Sequence, residues 1–325
     1  MKKREYLTPV SENFLHSIGV GIESFKLALE YNLNPVAAFI AGSLHDLGGA
    51  IPNQDRVKIA EMCGITLCKE ETEFPLLIHA KQGAYFANKL FGIHDKDILD
   101  SILFHTTCVE NASDIVKVVF LADKIHWDRD GKPPYLDDLS NSLNISLDMG
   151  CKTFLEWLWN DNQKLVIHPL LKSSYNFYCR GKSTLSDYYL EYNTELNKKI
   201  ISSYFLDKIM NEYKKIFFPL DTIVSSYYNG QITKNDFYNQ FIASVISNSS
   251  NTIKIFNSIK IDEYIEVPQY EDDFYKNLNI YFAKNEFNIF DTTILNLIDD
   301  NSNIDITDVD IKEIVSKLIH VSCRE

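Results

Sequence analysis

Four histidines and two aspartates in the first part of the chain carry side chains that bind transition metals. Each lies in, or at the end of, a stretch with apolar neighbours, so these polar groups should face a protein interior. A buried carboxylate needs a positive partner, and six such groups favour one shared metal site over six separate polar contacts. Imidazole and carboxylate donors suit Fe, Mn, Co or Zn better than Mg or Ca. The candidate ligands are His16, His45, Asp46, His79, His105 and Asp123.

The first two of these positions are predicted to lie on neighbouring helices. Apolar residues spaced by three and four over 11–31 predict a helix that contains His16. Asn34-Pro35 has the composition of a helix cap followed by a first helical residue. The second helix should run over 36–47, past the His45-Asp46 pair, and end at two glycines.

Further helices are predicted to follow, and no segment of this half alternates like a strand. They should begin near Pro75, at Asp95, and at Ser113 or Asn111, and these three carry the remaining candidate ligands. Two more are expected near 137–148 and 149–163. The sequence therefore predicts an all-α domain.

A change in composition near residue 195 suggests a second unit. From there the chain is rich in Asn, Ile, Lys, Tyr and Phe, and helical periods recur at 196–217 and 233–247. We expect one domain over 1–195, which contains all six candidate ligands, and a smaller, mainly helical C-terminal domain of unknown function over 196–325.

The charge and apolar pattern exclude several classes of partner. The formal net charge is −13 over 325 residues. So acidic a chain is not expected to bind nucleic acid, whose phosphates need Lys and Arg. No apolar run is long enough to span a membrane, and no signal peptide is recognisable. We expect a cytoplasmic protein that does not bind membranes, with six free cysteines.

Taken together in linear order, these residues resemble the HD-domain superfamily and, within it, the bacterial YqeK family. The resemblance spans about residues 10–190. It includes Leu-His-Ser-Ile-Gly-Val around His16, the His45-Asp46 pair, and His79 followed by Gly83-Ala84. It continues through His105-Thr106-Thr107 to Ala122-Asp123, with Arg129 six residues further on.

The resemblance implies an activity and a role for each residue. YqeK proteins are similar to symmetrical bis(5'-nucleosyl)-tetraphosphatases, which convert diadenosine tetraphosphate (Ap4A) to two ADP in a helical bundle with a dinuclear centre, usually iron. It implies that the six candidate residues are metal ligands, that Asp46 bridges two ions, and that the ions activate a water for attack on phosphorus. Arg129 would face the phosphates as a catalytic and substrate-binding residue. Further candidate substrate contacts are Lys81, Thr106, Thr107, Lys124 and, for a nucleobase, Trp127.

The chain departs from the family pattern at cationic positions. Gly49 stands where the family usually has lysine, and Cys108-Val109 stand where it has Gly-Arg. After the last aspartate, His126-Trp127 replace Glu-Pro. These changes leave the metal ligands in place and alter the residues that would hold a polyphosphate.

Two alternatives to Ap4A hydrolysis follow. The first is an HD phosphatase or pyrophosphatase that acts on another nucleotide or phosphoester. The second is a nucleotide-sensing or scaffolding module with little turnover, because the enzyme fold does not need the added C-terminal residues. A homodimer, and a protein partner bound through the C-terminal domain, are kept open.

Overall fold

The computed structural model describes residues 4–126, 132–160, 166–184, 196, 198–203 and 206–258, and all regular structure within these ranges is helical. Short 3-10 helices lie at Leu47–Ala50 and Pro75–Ile78. The all-α class expected from the sequence is confirmed. The α-helices are α1 (Arg4–Glu30), α2 (Pro35–Leu44), α3 (Asn53–Met62), α4 (Lys69–Glu73), α5 (His79–Phe91), α6 (Lys96–Phe104), α7 (Asp114–Ile125), α8 (Leu136–Leu143), α9 (Leu147–Asn160), α10 (Pro169–Arg180), α11 (Lys198–Ser203), α12 (Leu206–Phe217), α13 (Leu220–Tyr228) and α14 (Lys234–Ser258).

The helices that carry candidate ligands begin at the predicted caps. The Asn34 side chain accepts hydrogen bonds from the backbone N–H groups of Val36 and Ala37 at the start of α2. Asp95 and Ser113 cap α6 and α7 in the same way. Because a capping side chain satisfies backbone donors that a helix leaves unpaired, these starts are encoded locally.

The end of α2 was predicted too late. The α-helix ends at Leu44, His45 and Asp46 form a turn, and the 3-10 helix Leu47–Ala50 follows. A Cβ atom on Gly48 would lie 2.0 Å from the carbonyl oxygen of His79 and 2.7 Å from the amide nitrogen of Gly83. Only glycine permits this approach of two backbones. The start of α5 therefore packs directly against the segment that follows the His-Asp pair.

Small residues let α1 and α2 cross at short range. A Cβ atom on Gly42 would lie 2.9 Å from both the Cα atom of Gly21 and the carbonyl oxygen of Val20. His16 lies little more than one turn before this crossing, and His45 less than one turn after it. The close crossing thus brings two candidate ligands from different helices to the same end of the helix pair.

Helices after residue 195 pack against α1 and α2. The rings of Phe25 and Phe241 stack with centroids 4.1 Å apart, and Phe39 packs against Phe217 and Phe241. The buried Tyr213 hydroxyl donates a hydrogen bond to the Ser43 carbonyl oxygen. The described helices on both sides of residue 195 share one hydrophobic core. The division into domains at that residue stays a prediction, and residues 259–325 lie outside the described part.

Two chemical expectations can be compared with the described residues. Five cysteines within them are free thiols, as expected, while Cys323 lies outside. Among the helices that the structure describes, none combines the length and apolar character needed to cross a membrane.

Candidate metal centre

All six candidate metal ligands lie in the described part of the chain and come together in one place. They reach it from the middle of α1, the last turn of α7, the first residue of α5, and the residues that follow α2 and α6. The imidazoles of His45 and His105 are almost fully buried, at 1% and 3% exposure. The ring centroids of these two histidines lie 4.7 Å apart.

Three of the histidines are held by the carbonyl group three residues earlier in the chain. The Nδ1 atom of His45 lies 2.7 Å from the Gly42 oxygen, and that of His105 lies 2.8 Å from the Ile102 oxygen. His79 Nδ1 makes the same contact with the oxygen of Leu76. A carbonyl oxygen only accepts, so each Nδ1 carries the ring proton and donates it. In a neutral ring, the Nε2 lone pair is then left for another partner.

The Nε2 lone pairs of these three histidines point towards one another, and none of the three neutral rings has an N–H on that side. The Nε2 atoms of His79 and His105 lie 2.9 Å apart, although both are acceptors in the neutral tautomers just described. The Thr106 hydroxyl lies 3.0 Å from one and 3.3 Å from the other, and it has a single proton to give. Two lone pairs that face each other repel, and a cation bound by both nitrogens removes this repulsion. This donor arrangement fits a bound metal ion.

The aspartates complete two overlapping groups of donors. Asp123 Oδ1 lies 3.0 Å from His16 Nε2 and 3.5 Å from His45 Nε2. Asp46 Oδ1 lies 3.3 Å from His79 Nε2. Two sets have donor atoms all within 4.8 Å of one another, and each could hold a metal ion. They share His45 and consist of His16, His45 and Asp123, and of His45, Asp46 and His105.

Burial and neighbouring charges favour the protonation states that bind metals. Burial lowers the pKa of His79, and it lowers that of His105 well below the usual value, with the help of two adjacent imidazoles. Burial alone would raise the pKa of Asp46, but the surrounding imidazoles, led by His79, outweigh it and depress that pKa. For Asp123, burial is likewise outweighed, first by Lys124, so its pKa lies well below the usual range. Neutral imidazoles and ionised carboxylates are the forms that coordinate metals.

Comparison with known proteins agrees with this geometry. The HD domain model matches residues 13–128, the range that contains all six residues. An uncharacterised protein from the pepC 5' region of Lactococcus lactis subsp. cremoris is 44% identical over 134 residues, which are 41% of this chain and 68% of the relative.

The chain belongs to the HD-domain family of hydrolases.

Two further proteins are similar over a longer part of this HD-domain hydrolase. The symmetrical bis(5'-nucleosyl)-tetraphosphatase of Bacillus subtilis (strain 168) is 28% identical over 192 residues, which are 56% of this chain and 100% of the relative. A crystal structure of a predicted HD superfamily hydrolase involved in NAD metabolism, from Clostridium acetobutylicum, is 25% identical. That likeness covers 56% of this chain and 99% of the other, with a TM-score of 0.48.

The structure brings some of the candidate substrate contacts to the HD centre and places others elsewhere. Thr106 faces the His79 and His105 rings, and the Lys124 ammonium group pairs with Asp123 and donates to the His105 carbonyl oxygen at 3.3 Å. The buried Thr107 hydroxyl donates instead to the Cys108 carbonyl oxygen. Arg129 and Trp127 lie outside the described residues, so their proposed roles stay predictions.

Lys81 is not brought to the centre. Its ammonium group, almost fully buried, donates to Glu71 Oε2 at 2.7 Å and to the Thr66 carbonyl oxygen at 2.8 Å. On a helix, a residue two positions after His79 points roughly 200° away from it, so the two side chains leave opposite faces of α5. The expected substrate contact of Lys81 is therefore corrected to a buried ion pair.

Lys81 belongs to a second polar cluster, formed with Cys68, Glu71 and His168, which we call the clasp. Its Cys, Glu and His donor atoms also lie within 4.8 Å of one another. Here, however, the backbone N–H of Leu170 donates to His168 Nδ1, so the ring proton is on Nε2, which donates to Glu71 Oε1 at 3.3 Å. The Glu71 carboxylate is balanced by the Lys81 ammonium group, and its pKa falls to about 2 although burial alone would raise it. The clasp is satisfied without an ion and ties the chain before α5 to α10.

Two buried residues near the HD centre are not among the predicted metal ligands or substrate contacts: His126, for which the sequence suggests only an outer contact, and Arg56. The His126 ring stacks against the His16 ring with centroids 5.5 Å apart, and burial lowers the His126 pKa to about 3. Arg56, in α3, donates to the carbonyl oxygen of Leu76, which also accepts from His79. His126 directly follows the last residue of α7, so its place near His16 could have been suspected. No local pattern marks Arg56, because its partners are backbone oxygens of other segments.

Proposed function

We propose that this HD-domain hydrolase cleaves a phosphoanhydride bond of a nucleotide, and that its substrate is a dinucleoside tetraphosphate such as Ap4A, split into two ADP. The observation that carries the proposal is the 2.9 Å approach of the Nε2 atoms of His79 and His105, a donor arrangement that fits a bound cation. The tetraphosphatase of Bacillus subtilis, similar over its whole length, supports the choice of substrate class.

The donor set fits a pair of divalent transition-metal ions. We propose iron first, with Mn, Co and Zn as alternatives, because four imidazoles and two carboxylates are a borderline ligand set. His45 belongs to both donor groups. Asp46 is within reach of two histidines, because its donor atom lies within 4.8 Å of that of His45 and its Oδ1 lies 3.3 Å from His79 Nε2. When bound, the ions would supply Lewis acidity to a water and to a phosphoryl oxygen.

The side chains around the ions would position and stabilise the substrate. Asp46 and Asp123 stay ionised in this setting, so they can hold cations. The Lys124 ammonium group would offset negative charge at a phosphoryl oxygen, and the Thr106 hydroxyl would donate to it. Arg129 is proposed to contact the phosphates, and Trp127 to stack on a base.

One observation favours a second candidate, an HD phosphatase or pyrophosphatase with a smaller substrate. A Cβ atom at Gly49 would lie 2.2 Å from the Asn13 side-chain nitrogen and 3.6 Å from Asp46 Oδ2. A neutral amide thus occupies the space where a lysine side chain would begin. Fewer cations beside the centre would suit a substrate with less charge than a tetraphosphate.

A substrate panel separates the two candidates. The full chain, loaded in turn with Fe²⁺, Mn²⁺, Co²⁺ and Zn²⁺, is incubated with Ap4A, ATP, ADP, AMP and pyrophosphate, and the products are resolved by ion exchange. The proposal expects Ap4A to have the highest kcat/KM, with ADP as sole product. Faster cleavage of a mononucleotide would favour the second candidate, and tight nucleotide binding without turnover would contradict both.

A further inference from the structure

Arg56 is a buried cation whose guanidinium group donates hydrogen bonds to backbone carbonyl groups. Only 5% of the residue is exposed. Its Nε atom donates to the carbonyl oxygen of Ile51 at 2.8 Å, and its Nη1 atom donates to that of Leu76 at 2.8 Å. The Gln82 side chain, in α5, donates in turn to the Arg56 carbonyl oxygen at 2.9 Å. Arg56 in α3 is thus hydrogen-bonded to three other segments, through Ile51, Leu76 and Gln82.

The two carbonyl groups that Arg56 holds belong to the segments that carry Asp46 and His79. Ile51 directly follows the short 3-10 helix that comes after Asp46. The Leu76 oxygen also accepts the Nδ1 proton of His79, which leaves His79 Nε2 directed at Asp46, 3.3 Å away. Removal of the guanidinium would free both segments at once, on either side of this pair of ligands.

Arg56 keeps its charge in this buried setting. Burial lowers its pKa to about 10, and the Asp46 carboxylate opposes that change, so the guanidinium group stays protonated at neutral pH and keeps all its N–H donors.

We propose that Arg56 is a positioning residue for the His79–Asp46 side of the metal centre. The inference rests on the proposed function only in that it takes the centre to bind divalent ions. Groups that orient a ligating histidine typically change metal affinity by about 10–100-fold when they are lost. Only a planar fork with several fixed donors reaches two carbonyl groups at once, so lysine would keep the charge and lose one of the two bonds.

The test compares Arg56→Lys and Arg56→Met with a matched control. Lys81→Met also removes a buried cation that bonds a backbone oxygen, that of Thr66, in the same stretch before α5. Metal-free full-length proteins are titrated with Co²⁺, and the dissociation constant and visible spectrum are recorded well below each melting temperature. Both Arg56 variants should bind Co²⁺ at least about tenfold more weakly with an altered spectrum. Lys81→Met should lower the melting temperature and leave Co²⁺ affinity within about twofold.

Each other outcome has a defined meaning. If Arg56→Lys binds Co²⁺ like the wild type, the two-carbonyl bridge does not position the ligand and the proposal is overturned, even where Arg56→Met fails to fold. Equal losses in all three variants would show a general effect of destabilisation and would also overturn it. If the wild type binds Co²⁺ and hydrolyses nucleotides while the Arg56 variants match it, only this inference fails. If the wild-type protein binds no divalent ion, the proposed function is contradicted as well.

Discussion

The metal centre and the clasp both combine histidine with carboxylate, yet their histidine rings have opposite tautomers. Each places histidine beside carboxylate in a buried setting, and each contains donor atoms close enough to hold an ion. In the centre, His45, His79 and His105 give their Nδ1 protons to carbonyl groups and present bare Nε2 atoms. In the clasp, His168 receives a backbone N–H at Nδ1 and presents a protonated Nε2 to Glu71.

The difference shows that the backbone around a histidine, more than the nearby carboxylate, decides whether the ring can be a metal ligand. A carbonyl group three residues earlier forces the proton onto Nδ1, whereas a helix N-terminus forces it onto Nε2. The clasp also contains its own cation, Lys81, so its charges balance without an ion. The centre contains Lys124 beside Asp123, but it still has facing lone pairs on two imidazoles.

The largest expected effect comes from exchanging one histidine in each cluster. His105→Gln should lose the bound metal and reduce hydrolysis by roughly 1,000-fold or more, because a ligand to the ions is gone. His168→Gln should lower stability and keep the metal content of the folded protein. Elemental analysis with steady-state kinetics checks both. Metal loss in His168→Gln, or its retention in His105→Gln, would break the contrast between the clusters.

The next effect concerns the backbone approach that brings α5 to the centre. Gly48→Ala should destabilise the protein by about 3 kcal/mol or more and weaken metal binding, since its Cβ meets the backbone of His79 and Gly83. In the neighbouring control Gly49→Ala, the Cβ collides with the end of the Asn13 side chain and is in ordinary contact with Asp46 Oδ2, so the change should cost about 1 kcal/mol or less. Urea unfolding monitored by circular dichroism measures both. Similar losses in the two variants would contradict the close packing at Gly48.

A third variant sharpens the structural role of the clasp. Glu71→Gln leaves the buried Lys81 without its counter-charge and should cost about 3 kcal/mol in the free energy of unfolding. Because the clasp has no part in metal binding, the affinity for Co²⁺ should stay at the wild-type value. A loss of affinity with little loss of stability would mean that the clasp supports the centre directly.

The smallest expected effect is the pH dependence of the difference in unfolding free energy between wild type and Glu71→Gln. The folded pKa of Glu71 is about 2, below its ordinary value of 4.5, so the unfolded chain takes up the proton first as the pH falls. Its stabilisation is complete above about pH 5 and is lost towards pH 2. The stability gap between wild type and Glu71→Gln should be constant from pH 5 to 8 and shrink between pH 5 and 3. A gap that widens on acidification would contradict an ionised Glu71.

The candidate ligands and most helix starts could be recognised in the sequence, because both are marked by local features. Apolar spacing and capping residues such as Asn34, Asp95 and Ser113 encode the helices, and the candidate ligands stand out as polar groups on apolar faces. These features need no knowledge of distant contacts. They also predicted an all-α fold without reference to the tertiary structure.

The errors and omissions all involve contacts between distant segments. The end of α2 depends on the backbone of His79, which packs against Gly48. Lys81 is close to His79 in the chain but leaves the opposite face of α5 to meet Glu71. Arg56 bonds carbonyl groups, which no sequence pattern identifies. The tautomers depend on which backbone group reaches each ring nitrogen.

The most direct test follows the ring nitrogens themselves by long-range ¹H–¹⁵N NMR of the full chain with ¹⁵N-labelled histidine, before and after Zn²⁺ is added. We expect protons on Nδ1 of His45, His79 and His105 throughout, large shifts of their Nε2 resonances on Zn²⁺ addition, and an unchanged His168 protonated at Nε2. Unchanged Nε2 resonances in the first three rings, or a zinc-dependent shift at His168, would contradict this expectation.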